Sequence, residues 1–159
     1  MEKPENIPDE FIKGINAIVI DASSLIYHLK VGILGFLAAE MILISSEQVI
    51  EEVGWPHLPV MGFTLDNSTL TNDETIVELA KLKKLPVLSE DKEVLLNAKN
   101  HGLSYYNSLM MLNYLLLKKR ISLLEYPEYL HRLIDISHYS EDILEYGNRI
   151  KNVIEKKLD

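Results

Sequence analysis

Asp21 follows directly on the β-branched run Ala17-Ile18-Val19-Ile20. A carboxylate at the end of a buried strand has little freedom, and its hard oxygens suit Mg²⁺ or Mn²⁺. Three acidic doublets follow: Glu51-Glu52, Asp73-Glu74 and Glu90-Asp91. Acids near helix starts usually serve the helix dipole or solubility. Helical geometry, at roughly 100° per residue, separates the members of each pair. Around Val49, Ile50 and Val53, Glu52 lies at the border of the apolar face and Glu51 points to water. Around Ile76, Val77, Leu79 and Ala80, Asp73 lies within roughly 40° of the apolar face and Glu74 roughly 140° away. Around Val94, Leu95, Leu96 and Ala98, Asp91 is nearly centred and Glu90 roughly 100° off. One acid of each pair therefore leans inward, where a carboxylate is costly unless something pairs with it. A shared divalent cation is one partner. Backbone N–H groups at a helix cap are another, and for Asp91 both readings stand.

The elements that must position these acids alternate in type. A polar lead-in over 1–14 carries at most a short helical turn. The run 17–20 is a buried strand. Ser23 and Ser24 are candidate caps for a helix over 25–39, with a break near Gly32. Met41-Ile42-Leu43-Ile44 is a second strand, and Ser45 or Ser46 opens a helix through Val53. Pro56, Pro59 and Gly62 make 55–70 irregular, with a possible strand at Phe63-Thr64-Leu65. Thr71 and Glu74 form a capping-box pattern for a helix to Lys83. Pro86-Val87-Leu88 is a third strand, Ser89 the cap of a helix to Asn100, and Leu103-Ser104-Tyr105-Tyr106 a fourth strand. Helices are expected over 108–119, 122–135 and 140–157. Such alternation predicts a three-layer α/β/α fold with a mainly parallel central sheet. Sites in such folds form beyond the carboxyl ends of the strands. We expect one domain over 1–159, with the helices of 122–157 packed on it.

The chain has 159 residues, 47% of them hydrophobic, which is enough for a sizeable core. It has no cysteine, which excludes disulfides and thiolate metal sites. With no signal-peptide pattern and no long uncharged apolar run, the expected location is the cytoplasm, with no membrane contact. The formal net charge of −8 is the wrong sign for a plain nucleic-acid groove binder. Lys81, Lys83, Lys84, Lys92 and Lys118-Lys119-Arg120 are the basic residues available to steer a phosphate, although a solvated helix face is the readier reading of each. Tyr105 and Tyr106 offer stacking surfaces but more simply fill a strand and its rim.

Taken in order, these blocks resemble a PIN domain over roughly 16–155. Ile18-Val19-Ile20-Asp21-Ala22-Ser23-Ser24 is similar to the family's opening strand, with its first acid and nearby hydroxyl. Ile44-Ser45-Ser46-Glu47-Gln48-Val49-Ile50-Glu51-Glu52 resembles the second block, its acid falling on Glu52. Asn72-Asp73-Glu74-Thr75-Ile76 resembles the third, with Asp73, and Leu85-Pro86-Val87-Leu88-Ser89-Glu90-Asp91 the fourth, with Asp91 its acid and Glu90 a rival. Tyr106-Asn107-Ser108-Leu109 stands where many members have Gly-Thr, so Ser108 takes the place of a site hydroxyl. The tail from Lys118 to Ile154 resembles a subgroup with extra C-terminal helices.

The resemblance implies a Mg²⁺- or Mn²⁺-dependent ribonuclease. Asp21, Glu52, Asp73 and Asp91 would hold one or two ions, and Ser23 and Ser108 would donate hydrogen bonds. As in many small members (the VapC-like toxins), it also implies the toxin half of a toxin–antitoxin pair, with a small antitoxin protein as partner and a homodimeric state. Two other readings compete. One is a non-catalytic binding module on the same fold. The other is a phosphotransfer domain with Asp21 as nucleophile. For a haloacid-dehalogenase-type enzyme, Ser23 stands where a second Asp is needed, and the acid and lysine order of a receiver domain is absent.

Overall fold

The structure, a computed structural model, describes residues 6–66 and 69–158. Residues 1–5 of the expected lead-in lie outside that range. By its internal contacts the chain forms two compact units, one over 16–108 and one joining the residues up to 15 with those from 109 onward.

The first unit is built on five parallel strands: β1 (Ala17–Ile20), β2 (Ile42–Ser46), β3 (Met61–Phe63), β4 (Val87–Leu88) and β5 (Tyr105–Tyr106). Their order is β3-β2-β1-β4-β5, with helices on both sides of the sheet, the α/β architecture expected from the alternation. Ile18, Val19 and Ile20 are fully buried, as the central strand of a two-sided sheet requires. The chain winds outward from β1 to β2 and β3, then crosses back to place β4 on the other side of β1. The switch point therefore lies between β1 and β4, where open α/β sheets bind their ligands.

Helix α2 (Ala22–Val31) is followed by α3 (Leu34–Glu40), and the break falls at Gly32, whose φ of 89° suits a residue without Cβ. Ser46 caps α4 (Glu47–Val53) by accepting from Val49 N. Thr71 and Glu74 form the expected capping box on α5 (Asn72–Lys83). Helix α6 spans Lys92–Asn100.

Three local expectations are corrected. Asp21 rather than Ser23 or Ser24 caps α2, because its carboxylate reaches Ser24 N at 3.0 Å. Asp91 rather than Ser89 caps α6, accepting from Glu93 N at 2.8 Å. The strand near Phe63 lies two residues earlier than expected, paired Ile44 to Met61 and Ser46 to Phe63.

The second unit contains α1 (Asp9–Lys13), most of α7 (Ser108–Leu117), α8 (Tyr126–Ile136) and α9 (Glu141–Leu158). Phe11 meets the buried Tyr114 edge to face at 4.9 Å, and the Tyr114 hydroxyl accepts from Ile15 N. Among the described residues, no single helix is long and apolar enough to cross a membrane.

Gly147 in α9 lies against Leu109, where a Cβ would come within 2.5 Å of Leu109 Cδ2 and 2.9 Å of Cγ. Alanine normally improves a helix interior by about 1 kcal/mol over glycine. Here overpacking, typically about 1–3 kcal/mol, opposes that gain. Gly147→Ala is expected to lower the melting temperature measured by circular dichroism, whereas a rise would show that Leu109 yields freely.

Candidate metal centre

Asp21 sits at the carboxyl end of β1 and is 4% exposed. Its backbone N–H still belongs to the sheet, donating to Leu88 O at 3.1 Å. Its side chain accepts from three neighbours. Ser23 Oγ (2.9 Å) and Ser24 N (3.0 Å) donate to Oδ1, and Ser89 Oγ, arriving from the end of β4, donates to Oδ2. Burial pushes the Asp21 carboxyl up from 3.8 to about 6, against the lowering effect of the Ser89, Ser24 and Ser23 bonds and with some help from the Glu90 charge.

A cleft of about 430 Å³ opens beside it. Asp21 and Ser23 come to it from the β1–α2 turn, Glu52 from α4, Asn72 and Asp73 from the start of α5, and Glu90 and Asp91 from the β4–α6 turn. Among the described residues no lysine or arginine lines it. Glu52 is exposed and its Oε2 accepts from Asn72 Nδ2 at 3.1 Å. Asp73 is also exposed. Its carboxyl is raised, by partial burial first and then by the like charges of Asp91, Glu52 and Glu93. Glu74 is turned back to the Thr71 cap.

The two acids of the third doublet take different roles. Asp91 is exposed, caps α6, and donates its own N–H to Ser89 Oγ at 3.0 Å. Glu90 faces the protein. Its Oε1 accepts from Ser108 N at 3.0 Å, and its Oε2 from Ser108 Oγ at 2.8 Å and from Ser24 Oγ. Ser108 is fully buried, so it bears on the cleft through Glu90. The Ser23 hydroxyl is likewise committed to Asp21.

Ser89, Asn72 and Ser24 were not singled out from sequence as site residues. The available signal was position, since Ser89 follows β4 as Asp21 follows β1. His28 is buried beneath this network, with Nδ1 2.8 Å from Ser24 O and 3.3 Å from Ser108 Oγ. Burial lowers its pKa, which leaves it neutral at pH 7.

The donor set fits Mg²⁺ or Mn²⁺ in kind: oxygen only, acidic, and close enough for Asp91 and Glu52 to raise Asp73. It is not pre-assembled, because among the described residues no three acidic or histidine side chains converge as a cation would need. Glu52, Asp73 and Asp91 are exposed, and to meet at a common point Glu52 must give up its bond from Asn72 and Asp91 must share its capping carboxylate, whereas Asp21 is fixed.

Because the folded state favours protonated Asp21, that contribution is complete below 3.8 and is lost as pH rises through about 6. The displacement corresponds to at most roughly 3 kcal/mol against the charged form. Asp21→Asn is therefore expected to melt several degrees higher than the native chain at pH 7.5 in metal-free buffer, with the difference vanishing toward pH 4. A calorimetric pH series measures this, and a lower melting temperature for the variant at pH 7.5 would contradict it.

Comparison with protein-family models gives no match, and comparison with curated proteins gives none either. Among solved structures the chain is similar to a PilT N-terminus domain protein from the hyperthermophilic archaeon Sulfolobus solfataricus P2. The two are 14% identical with a TM-score of 0.46, over 79% of this chain and 99% of that one.

Proposed function

We propose that this chain is a divalent-metal-dependent ribonuclease that hydrolyses RNA phosphodiester bonds at the Asp21 cleft. The observation that carries the reading is that acids from four separate segments line one cleft at the sheet's switch point, with no basic residue lining it among the described residues. Such a cleft repels RNA by itself and becomes useful when a cation is present. The order of the sequence blocks, which resembles a PIN domain, supports the same reading.

Asp21, Glu52, Asp73 and Asp91 would hold the ion. When bound, it supplies a water of lowered pKa and offsets charge on the phosphate. The chain's own residues do the rest. Ser89, Ser23 and Ser24 fix both Asp21 oxygens, so this carboxylate needs no reorganisation. Asp91, at the mouth, would orient the attacking water by accepting a hydrogen bond from it. Hydrolysis would join that water's oxygen to phosphorus and break the bond to the leaving ribose oxygen, which takes a proton from solvent, while the proton lost by the attacking water passes to solvent through the exposed acids. Glu90 is a positioning residue that ties the β4–α6 turn to Ser24 and Ser108. The finer reading, a toxin paired with a small antitoxin and acting as a homodimer, rests on the block resemblance and, for the dimer, also on the apolar helices.

A second reading has an observation in its favour. Because Asp21 is fully hydrogen-bonded and Asp91 is a cap, the same cleft suits a binding module that performs no turnover. Incubation with structured and unstructured RNA plus Mn²⁺ separates the two. We expect cleavage by the native chain and a loss of at least about 10²-fold in Asp21→Asn, the size typical of disturbing a metal-ligating group. Equal cleavage by both proteins would place the activity elsewhere. No cleavage and no Mn²⁺ heat in calorimetry would favour the binding module.

A further inference from the structure

A second cavity, of about 340 Å³, lies on the same carboxyl edge of the sheet, between the start of α4, the end of β3 and the start of α5. Its chemistry differs from that of the acid cleft. Phe63 and Leu65 give it an apolar wall, and Glu47, Gln48 and Asp66 place two carboxylates and an amide around that wall. Among the described residues no lysine or arginine lines it and two carboxylates do, so the lining itself repels a phosphate. Ionised carboxylates only accept hydrogen bonds. An occupant must therefore offer N–H donors on its edge and a flat face to the phenyl ring. Ligand pockets run about 300–1,000 Å³, so this one suits a single planar group.

Glu47 is seated by the backbone of β3. A Cβ on Gly62 would come within 2.3 Å of Glu47 Oε1 and 2.9 Å of Ile50 Cδ1, so glycine leaves the space this carboxylate occupies. The Lys83 ammonium lies over one face of the Phe63 ring, 3.7 Å from its centre, which leaves the opposite face for a base. The two sites share their helices. Gln48 and Glu52 are four residues apart on α4, about 6 Å of axial rise, and Thr75 follows Asp73 by two residues on α5. A base seated here would belong to a nucleotide close to the phosphate in the acid cleft.

We infer that this cavity is a nucleobase pocket selecting guanine in the single-stranded RNA of the proposed reaction, and so rests on that reading for its biological role. Unpaired guanine presents adjacent N1–H and N2–H donors to a carboxylate and a broad face for stacking. Uracil offers a single N–H beside two acceptors, which the acidic rim repels.

Binding can be tested without cleavage or metal. The four nucleosides are titrated into the native chain, and the amide resonances of Gln48, Thr64 and Thr75 are followed by NMR. Guanosine is expected to shift them saturably, at least about fivefold more tightly than the other three. Asp66→Asn, a nearly isosteric change at an exposed position, should remove that preference, and Phe63→Ala should weaken all four. Absence of shifts at these residues, preference for another base, or an unchanged preference in Asp66→Asn each overturns the assignment. Guanosine binding without RNA cleavage would sink the nuclease reading and leave the pocket standing. Cleavage without guanosine binding would do the reverse.

Discussion

One buried carboxylate sets the terms for the rest of the first unit. Asp21 directly follows β1, and its N–H is still bonded to Leu88 across the sheet. Its side chain is almost wholly withdrawn from water, and an unsatisfied carboxylate there would be costly. The surrounding sequence supplies donors from both sides, Ser23 and Ser24 from the start of α2 and Ser89 from the end of β4. This works only because β1 and β4 are neighbours, which the β3-β2-β1-β4-β5 order provides. Even so, burial wins over the three hydrogen bonds, and the group titrates near 6.

The remaining acids are arranged around that fixed point with a different balance. Glu52, Asp73 and Asp91 keep contact with water, so their charges are tolerated individually while crowding one another. Two of the basic residues that might have offset them are engaged elsewhere. Lys81 pairs with Glu78 at 3.0 Å and Lys83 lies over Phe63. With a net charge of −8, the chain offers RNA little attraction of its own. On the proposed reading, a polyanion approaching this edge would depend on a cation in the acid cleft.

Much of this was legible in the sequence where local chemistry acts alone. Ala17 to Ile20 reads as a buried strand because it is β-branched and uninterrupted, and the acid after it must then lie at the strand's end. The Thr71 and Glu74 capping box needs only four residues to specify itself. Rotation about α4 and α5 brings Glu52 and Asp73 to the cleft because both lie inside their helices, where a fixed angular step applies. The same step misleads at Glu90 and Asp91. Helix α6 begins at Lys92, so both residues precede it and the turn is free to send Glu90 inward and leave Asp91 as cap. What turns Glu90 inward is Ser24 and Ser108, far from it in sequence and brought near only by the sheet order. Ser89 was misjudged for the same reason, since a local cap competes with a long-range acceptor that local sequence does not display.

The central claim is that these carboxylates, open as they stand, close on one divalent ion. Crystals of the chain grown with MnCl₂ and measured for manganese anomalous scattering test it directly. The account predicts an anomalous peak in the cleft in contact with Asp21 and at least one of Glu52, Asp73 and Asp91, the exposed acids having turned toward it. A cleft free of anomalous signal at saturating manganese, with the carboxylates still apart, would contradict it.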